Sequence, residues 1–216
     1  MKYKNIFFDL DGTLTDSGPG IRNAVKHALL KYGIEENDKN NLNRFIGPPL
    51  YDSFMRYYGI SEADARLGEG YFREYYSDKG IFENSVYDGI PECLSALKSA
   101  GLSLYIATSK PDFMAKRVLS HFALDGFFES IGGARIEEGI CAKKDVIAGL
   151  FAENPALSPE NTVMVGDREH DVFGASAFGM ESIGVLWGYG SENEFRSCGA
   201  NFIVETPEKL VGLLVG

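Results

Sequence analysis

Short apolar runs rich in β-branched and aromatic residues alternate with segments of helical periodicity along most of this 216-residue chain. The apolar runs have the length of buried strands, and the segments between them carry apolar residues three and four positions apart. Alternation of this kind predicts right-handed crossovers and an α/β fold, a Rossmann-like, mainly parallel sheet with helices on both faces. The predicted strands are NIFFDL, SLYIA, FFESIGG, NTVMVGD, ESIGVLWG and ANFIVET.

Proline and glycine mark the ends of several predicted helices. One helix begins near Pro91 and stops at Gly101, and the last helix has Thr206 as its N-cap and Pro207 at its first position. Proline at a helix start and glycine just past its end are the usual signals. The remaining helices of this part of the chain are predicted at PDFMAKRVLSHF, KKDVIAGLFAE and EHDVFGASAFGM.

Residues 17–80 interrupt the alternation, because they carry helical patterns and no convincing strand. The segment SGPGIRNAVKHALLKYG, for example, has apolar residues at helical spacing and ends on the stop signal Gly33. An all-helical block after the first strand of an α/β domain predicts an inserted cap. We therefore expect an α/β core domain at residues 1–15 and 83–216 and a helical cap domain at residues 16–82.

The net charge of the chain limits its expected partners, and the spacing of its cysteines indicates its compartment. The formal net charge is −10, whereas nucleic acids and anionic membranes are bound through basic faces, so neither is expected as a partner. The three cysteines are widely spaced and form no zinc or disulfide pattern, which favours a reducing cytoplasm. The apolar runs are too short to span a membrane, and the N-terminus lacks the cleavage site of a secretion signal. We expect a cytoplasmic monomer or homodimer.

Polar side chains gather where the predicted strands end, which is the edge at which open α/β sheets bind their ligands. The first strand leads into Asp9 and Asp11, the SLYIA strand into Thr108 and Ser109, and the NTVMVGD strand into Asp167. Packing periodicity requires none of these residues, so we regard them as a candidate site. The set is completed by Gly12 after Asp11, by Asp171 one helical turn after Asp167, and by Lys143 at a helix start.

The motifs DLDGT, IATS, a lysine at a helix start and GDREHD resemble, in this order, the four motifs of the haloacid dehalogenase-like superfamily of phosphohydrolases. The resemblance covers essentially the whole chain, including the position of a helical cap. The segments FFDLDGTLTDSGPGI, IGPPLYDSF and VLWGYGS look like the branch that contains phosphoglycolate phosphatases and bacterial 5′-nucleotidase-like enzymes. This resemblance implies a Mg²⁺-dependent phosphatase that hydrolyses a small phosphomonoester, phosphoglycolate or a nucleoside 5′-monophosphate, through an aspartyl-phosphate.

The chemistry of this reaction gives each candidate residue a role. Asp9 would attack phosphorus, and Asp11 would protonate the leaving oxygen and then take a proton from water. Like-charge crowding would favour the protonated form of Asp11. Thr108 and Lys143 would stabilise the transferring phosphoryl group. The implied phosphate-binding residues are Gly12, Thr108, Ser109 and Lys143, and the implied Mg²⁺ ligands are Asp9, the carbonyl oxygen of Asp11, Asp167 and Asp171.

Simpler interpretations of these residues stay open. An Asp-Gly pair is common in turns, and an aspartate at a helix start is a common N-cap. Lys144 instead of Lys143 could be the phosphate-binding lysine. Lys110 could line the site or lie in solvent, and helical rotation places His170 at the surface. In the cap, Arg44 and Tyr51 could touch the substrate.

Two other functions are also compatible with the sequence. The first is a sugar-phosphate phosphomutase of the same superfamily, which returns the phosphoryl group to a sugar instead of water. The second is a non-catalytic binding or regulatory domain on the same scaffold. A damaged catalytic set would favour the second function, and the motifs show no damage.

Overall fold

The computed structural model describes residues 2–138, 140 and 142–216. The chain divides into two compact units, Met1–Asp16 with Val86–Gly216 and the insert Ser17–Ser85. The first unit is an α/β domain and the insert is helical, so the predicted fold class is confirmed. That the insert acts as a cap over a bound substrate stays a prediction.

Six parallel strands form the central sheet of the first unit, in the order β5-β4-β1-β6-β7-β8. The first strand is central, and the chain builds the sheet outward from it, first on one side and then on the other. Two further short strands lie where the chain leaves and re-enters this unit. The strands are β1 (Asn5–Phe8), β2 (Thr15–Asp16), β3 (Ser85–Val86), β4 (Ser103–Pro111), β5 (Ser130–Ala134), β6 (Thr162–Gly166), β7 (Glu181–Val185) and β8 (Phe202–Val204).

The four helices of the insert are α1 (Gly18–Leu30), α2 (Lys39–Asn43), α3 (Leu50–Tyr58) and α4 (Glu62–Tyr76). Helices α1 and α4 pack along each other, and the rings of Phe45 and Phe54 stack edge to face in the core of this unit. Tight backbone packing requires Gly20, because a Cβ atom there would lie 1.8 Å from the carbonyl oxygen of Gly80. Gly33 ends the α1 segment with a φ of +71°, as predicted from its position.

The helices that cover the sheet are α5 (Ile90–Ser99), α6 (Asp112–His121), α7 (Lys143–Glu153), α8 (Glu169–Ser176), α9 (Glu192–Cys198) and α10 (Pro207–Val215). Phe7 and Met164 from adjacent strands pack with Ile147 and Leu150 of α7 in a fully buried cluster. Within the part of the chain that the structure describes, no helix is both long and apolar enough to cross a membrane.

Two of the elements in which the structure departs from the sequence prediction are β4 and α9. The strand β4 continues beyond Ala107 to Pro111, so that Thr108 and Ser109 lie within a strand instead of following one. The helix α9 was not predicted, because its seven residues are mostly polar and only Phe195 is buried. The predicted N-cap of α10 is present, since the Thr206 side chain accepts a hydrogen bond from the Lys209 N–H.

Candidate active site

The ends of the three central strands bring the candidate residues together. Phe8, the last residue of β1, pairs with Ile106 of β4 on one side and with Val165 of β6 on the other. Because the strands are parallel and in this register, Asp9 after β1, Thr108 in the last part of β4 and Asp167 after β6 lie at the same edge. Asp9 therefore stands between Thr108 and Asp167, three residues that are far apart in sequence.

Glycine at position 12 is required by the tight turn after β1. Its φ is +87°, and its N–H donates to the Thr15 carbonyl oxygen at 2.7 Å. A Cβ atom at this position would lie 2.2 Å from Oδ2 of Asp167. Side chains are disfavoured at such a φ, so both backbone conformation and space explain the glycine of the DLDGT motif.

Lys143 is the cation at the centre of the site. Its Nζ lies 2.9 Å from Oδ1 of Asp9 and 2.8 Å from Oδ1 of Asp171, and it donates to the Ala107 carbonyl oxygen at 2.7 Å. The Lys143 side chain is buried, whereas Lys144 is exposed. Of the two lysines that the sequence left as alternatives, Lys143 is the one that the fold places among the acids.

Asp9, Asp167 and Asp171 form a group suited to a metal ion, since one carboxylate oxygen from each lies within 4.8 Å of the other two. Oδ2 of Asp167 accepts the Tyr189 N–H at 2.9 Å. Oδ1 of Asp167 is buried and has no hydrogen-bond partner among the described residues. A buried carboxylate oxygen without a partner is costly unless a cation is bound to it, so the donor set fits a hard divalent cation.

Burial and like charge shift the protonation of these groups in the absence of a cation. Burial raises the pKa of Asp167 well above its ordinary value, and the Asp171 and Asp9 carboxylates raise it further. Burial also raises the pKa of Asp9, although Lys143 opposes this shift. For Lys143, burial alone would lower the pKa, but the Asp171 and Asp9 carboxylates outweigh it and raise the pKa. The ammonium group therefore stays charged.

Lys110 is a second buried cation, and sequence reasoning did not place it. Its Nζ lies 2.8 Å and 3.1 Å from the two carboxylate oxygens of Asp11, and its side chain is 4% exposed. Asp11 thus faces an ammonium group, so like-charge crowding does not describe its surroundings. Four carboxylates and two ammonium groups leave two negative charges in the site, which one divalent cation neutralises. The only sequence signal was the position of Lys110, two residues after Thr108.

The hydroxyl of Thr108 points to Asp9. Its Oγ1 accepts a hydrogen bond from the Lys110 N–H at 3.2 Å. The hydroxyl also hydrogen-bonds the Asp9 carboxylate. Burial is the larger effect on Asp9 and raises its pKa, whereas this hydrogen bond lowers the pKa. Thr108 is buried, whereas Ser109 is exposed beside it.

Several residues that the sequence brought forward lie elsewhere. His170 is exposed on α8. Arg44 and Tyr51 belong to the insert, where each takes part in a cation–π pair. Among the described cysteines, Cys93 and Cys198 are free, and Cys141 lies outside the described residues.

The chain is similar to known proteins in sequence and in fold. Residues 6–185 match the family described as haloacid dehalogenase-like hydrolase. A 5′-nucleotidase from Pseudomonas aeruginosa is 45% identical over 91% of this chain and 89% of its own length. A tyrosine-protein kinase, PtkA, from Mycobacterium tuberculosis is 42% identical over 86% of this chain and 62% of its own length.

A phosphoglycolate phosphatase from Aquifex aeolicus is 31% identical over 97% of this chain and 95% of its own length. Among solved structures, a predicted phosphatase from Clostridium acetobutylicum superposes with a TM-score of 0.93. It is 43% identical and is matched over 100% of this chain and 99% of that protein.

Proposed function

The chain belongs to the haloacid dehalogenase-like hydrolase family, and on this premise we propose that it is a Mg²⁺-dependent phosphatase that hydrolyses a small phosphomonoester through an aspartyl-phosphate on Asp9. One observation carries this proposal. Asp9 lies within contact of Lys143 and Thr108 and beside a buried carboxylate oxygen of Asp167 that has no partner among the described residues. A nucleophile, phosphate-binding donors and a cation site thus meet at one point.

In the first step, a carboxylate oxygen of Asp9 forms a bond to phosphorus as the bond from phosphorus to the leaving oxygen breaks. Lys143 and Thr108 bind the non-bridging oxygens, so that their charge is stabilised where it develops. Lys143 is held for this role by Asp171 and the Ala107 carbonyl. Mg²⁺ bound at Asp9, Asp167, Asp171 and the Asp11 carbonyl would supply the charge that lets an anionic nucleophile approach an anionic ester.

In the second step, water attacks phosphorus, inorganic phosphate leaves, and the Asp9 carboxylate is restored. Asp11 carries the proton in both steps, giving it to the leaving oxygen and later taking one from water. Lys110 affects this role because its Nζ forms an ion pair with Oδ2 of Asp11 at 2.8 Å. An incoming phosphate ester gives this ammonium group a second anionic partner, which would free Asp11 to accept and donate protons.

Nucleoside 5′-monophosphates and phosphoglycolate are the substrates we propose to test first. The support is the names of the relatives, a 5′-nucleotidase at 45% identity and a phosphoglycolate phosphatase at 31% identity. The formal net charge of −10 favours a small ester over nucleic acid or an anionic membrane as partner. The proposed location is the cytoplasm.

The test is phosphate release from a panel of nucleoside 5′-monophosphates, phosphoglycolate, sugar phosphates and pyrophosphate, with Mg²⁺ and with a chelator. We expect Mg²⁺-dependent release from at least one ester and none from Asp9→Asn. Isomerisation of a sugar phosphate without net release would favour the phosphomutase, and no turnover of any kind would favour the non-catalytic domain. An added arm with ATP and a tyrosine-containing protein tests the activity named in the PtkA relative.

A further inference from the structure

The loop between β7 and α9 lies against the candidate metal site. The backbone N–H of Tyr189 in this loop donates to Oδ2 of Asp167 at 2.9 Å. Two residues earlier, the indole N–H of Trp187 donates to the carbonyl oxygen of Thr13 at 2.8 Å. Thr13 follows Gly12 in the turn that carries Asp11, so the loop is tied to the segments after both β1 and β6.

The two glycines of this loop allow the contact to be close. A Cβ atom on Gly188 would lie 2.3 Å from the Gly12 carbonyl oxygen and 2.4 Å from Cβ of Asp167. A Cβ atom on Gly190 would lie 2.1 Å from the Asp167 carbonyl oxygen. Side chains at either position would therefore push the loop away from Asp167. This explains why positions 188 and 190, on either side of Tyr189, are both glycine.

The tyrosine of the loop has a second anchor. Its hydroxyl donates to Oδ1 of Asp16 in β2 at 2.5 Å, and Tyr87 hydrogen-bonds the same tyrosine. The ring of Tyr189 is thus held at its far end, while its backbone N–H points at Asp167. A side chain fixed in this way restricts the backbone that carries the donor.

We propose that the segment Trp187–Gly190 positions Asp167 for the cation. The loop binds one carboxylate oxygen of Asp167 and leaves the other, Oδ1, free to coordinate, so the ligand is held in its binding orientation before the cation arrives. This proposal rests on the metal site of the proposed function. Outer hydrogen bonds of this kind contribute about tenfold to a hundredfold to metal affinity in other proteins.

Two conservative variants test the anchors separately. Trp187→Phe keeps an aromatic ring and removes the bond to Thr13, and Tyr189→Phe removes only the bonds of the hydroxyl. We expect each to bind Mg²⁺ about tenfold more weakly than the wild-type chain in calorimetric titrations without substrate. The matched control is Tyr58→Phe, which removes a comparable hydroxyl bond to Glu36 in the insert and should keep wild-type affinity.

The free energy of unfolding without metal is measured for every variant, which separates positioning from stability. Weaker Mg²⁺ binding in the two loop variants, with the control unchanged, supports the proposal. Unchanged Mg²⁺ affinity in both loop variants overturns it, even if their stability falls, because the loop would then be a structural anchor alone. If the wild-type chain itself binds no Mg²⁺, the proposed function fails at its metal site, and that result is distinct from failure of the loop proposal.

Discussion

At the level of single residues, Lys110 changes the surroundings in which the proposed role of Asp11 has to be understood. The pattern of acids in the sequence indicated like-charge crowding around Asp11, whereas the structure pairs Asp11 with a buried ammonium group. Sequence reasoning brought forward the acids, Thr108 and Lys143 from motifs of fixed spacing, and the structure places these residues close together. Sequence reasoning could not place Lys110, since the predicted strand ended at Ala107, and only the structure shows that β4 continues through Lys110 to Pro111.

Replacing Lys110 should therefore affect both catalysis and stability. In Lys110→Met, Asp11 loses its partner and the site gains a net negative charge, so we expect KM to rise about tenfold and the unfolding free energy to fall by about 2 kcal/mol. Steady-state kinetics and urea unfolding measure the two effects. Lys116→Met removes an exposed ion pair with Asp112 and should change stability by no more than about 0.5 kcal/mol. Equal behaviour of the two variants would contradict the role of Lys110.

The substitution Asp11→Asn tests whether Asp9 and Asp11 have the separate roles of nucleophile and general acid–base. The variant keeps Asp9 as nucleophile but lacks the carboxyl that carries the proton, so we expect turnover to fall by about a hundredfold or more. With a good leaving group such as a nitrophenyl ester, it should still accumulate some phosphoenzyme, because such a group leaves without protonation. Rapid acid quench measures the bound phosphate. Full turnover in this variant would argue against Asp11 as the acid and base.

At the level of elements, alternation of strands and helices was enough to predict the sheet and most helices, because each buried element carries its own periodicity. Contacts between loops far apart in sequence carry no such signal, which is why the loop at Trp187–Gly190 was not placed against Asp167. Helix α8 was predicted from the sequence, but its contact with Lys143 was not. Gly174 lies inside this predicted helix, and the reason for a glycine there is visible only in the structure: a Cβ atom would lie 2.6 Å from Cγ of Lys143.

The substitution Gly174→Ala tests this contact between helices. The added methyl group would push Lys143 away from Asp9 and Asp171, and we expect kcat to fall about tenfold to a hundredfold, since small misplacements of catalytic groups are costly. The control is Gly70→Ala in α4, where an added Cβ meets no other part of the described chain within 4 Å. That variant should gain about 0.5–1 kcal/mol of stability with unchanged kcat. Unchanged kcat in Gly174→Ala would contradict the argument.

For the whole molecule, metal binding, protonation and stability are coupled. The pKa values of Asp9 and Asp167 are raised without metal, primarily by burial. In the metal-free form, these two groups bind protons more tightly when folded than when unfolded. Their contribution to stability therefore falls as pH rises above the ordinary carboxyl pKa of about 3.9 and stops falling above the raised values. Mg²⁺ needs the ionised carboxylates, so its affinity rises over the same window.

The gain in melting temperature on adding Mg²⁺ should therefore be larger at about pH 8 than at about pH 5. At a concentration a hundred times the dissociation constant, the expected stabilisation is about 2.7 kcal/mol. Thermal unfolding with Mg²⁺ and with a chelator at both pH values measures this difference. Asp167→Asn should abolish most of the gain. An equal gain at both pH values would show that the cation does not displace protons from these carboxylates.

The most direct test of the central claim is to locate the phosphoryl group during turnover. The wild-type chain is mixed with a hydrolysed ester and Mg²⁺, quenched in acid and digested with trypsin, and the peptide NIFFDLDGTLTDSGPGIR is sequenced by mass spectrometry. The account predicts one hydroxylamine-labile phosphoryl group on Asp9, and none in Asp9→Asn or without Mg²⁺. Steady turnover with no phosphoryl group on this peptide, or with the group on another residue, would contradict it.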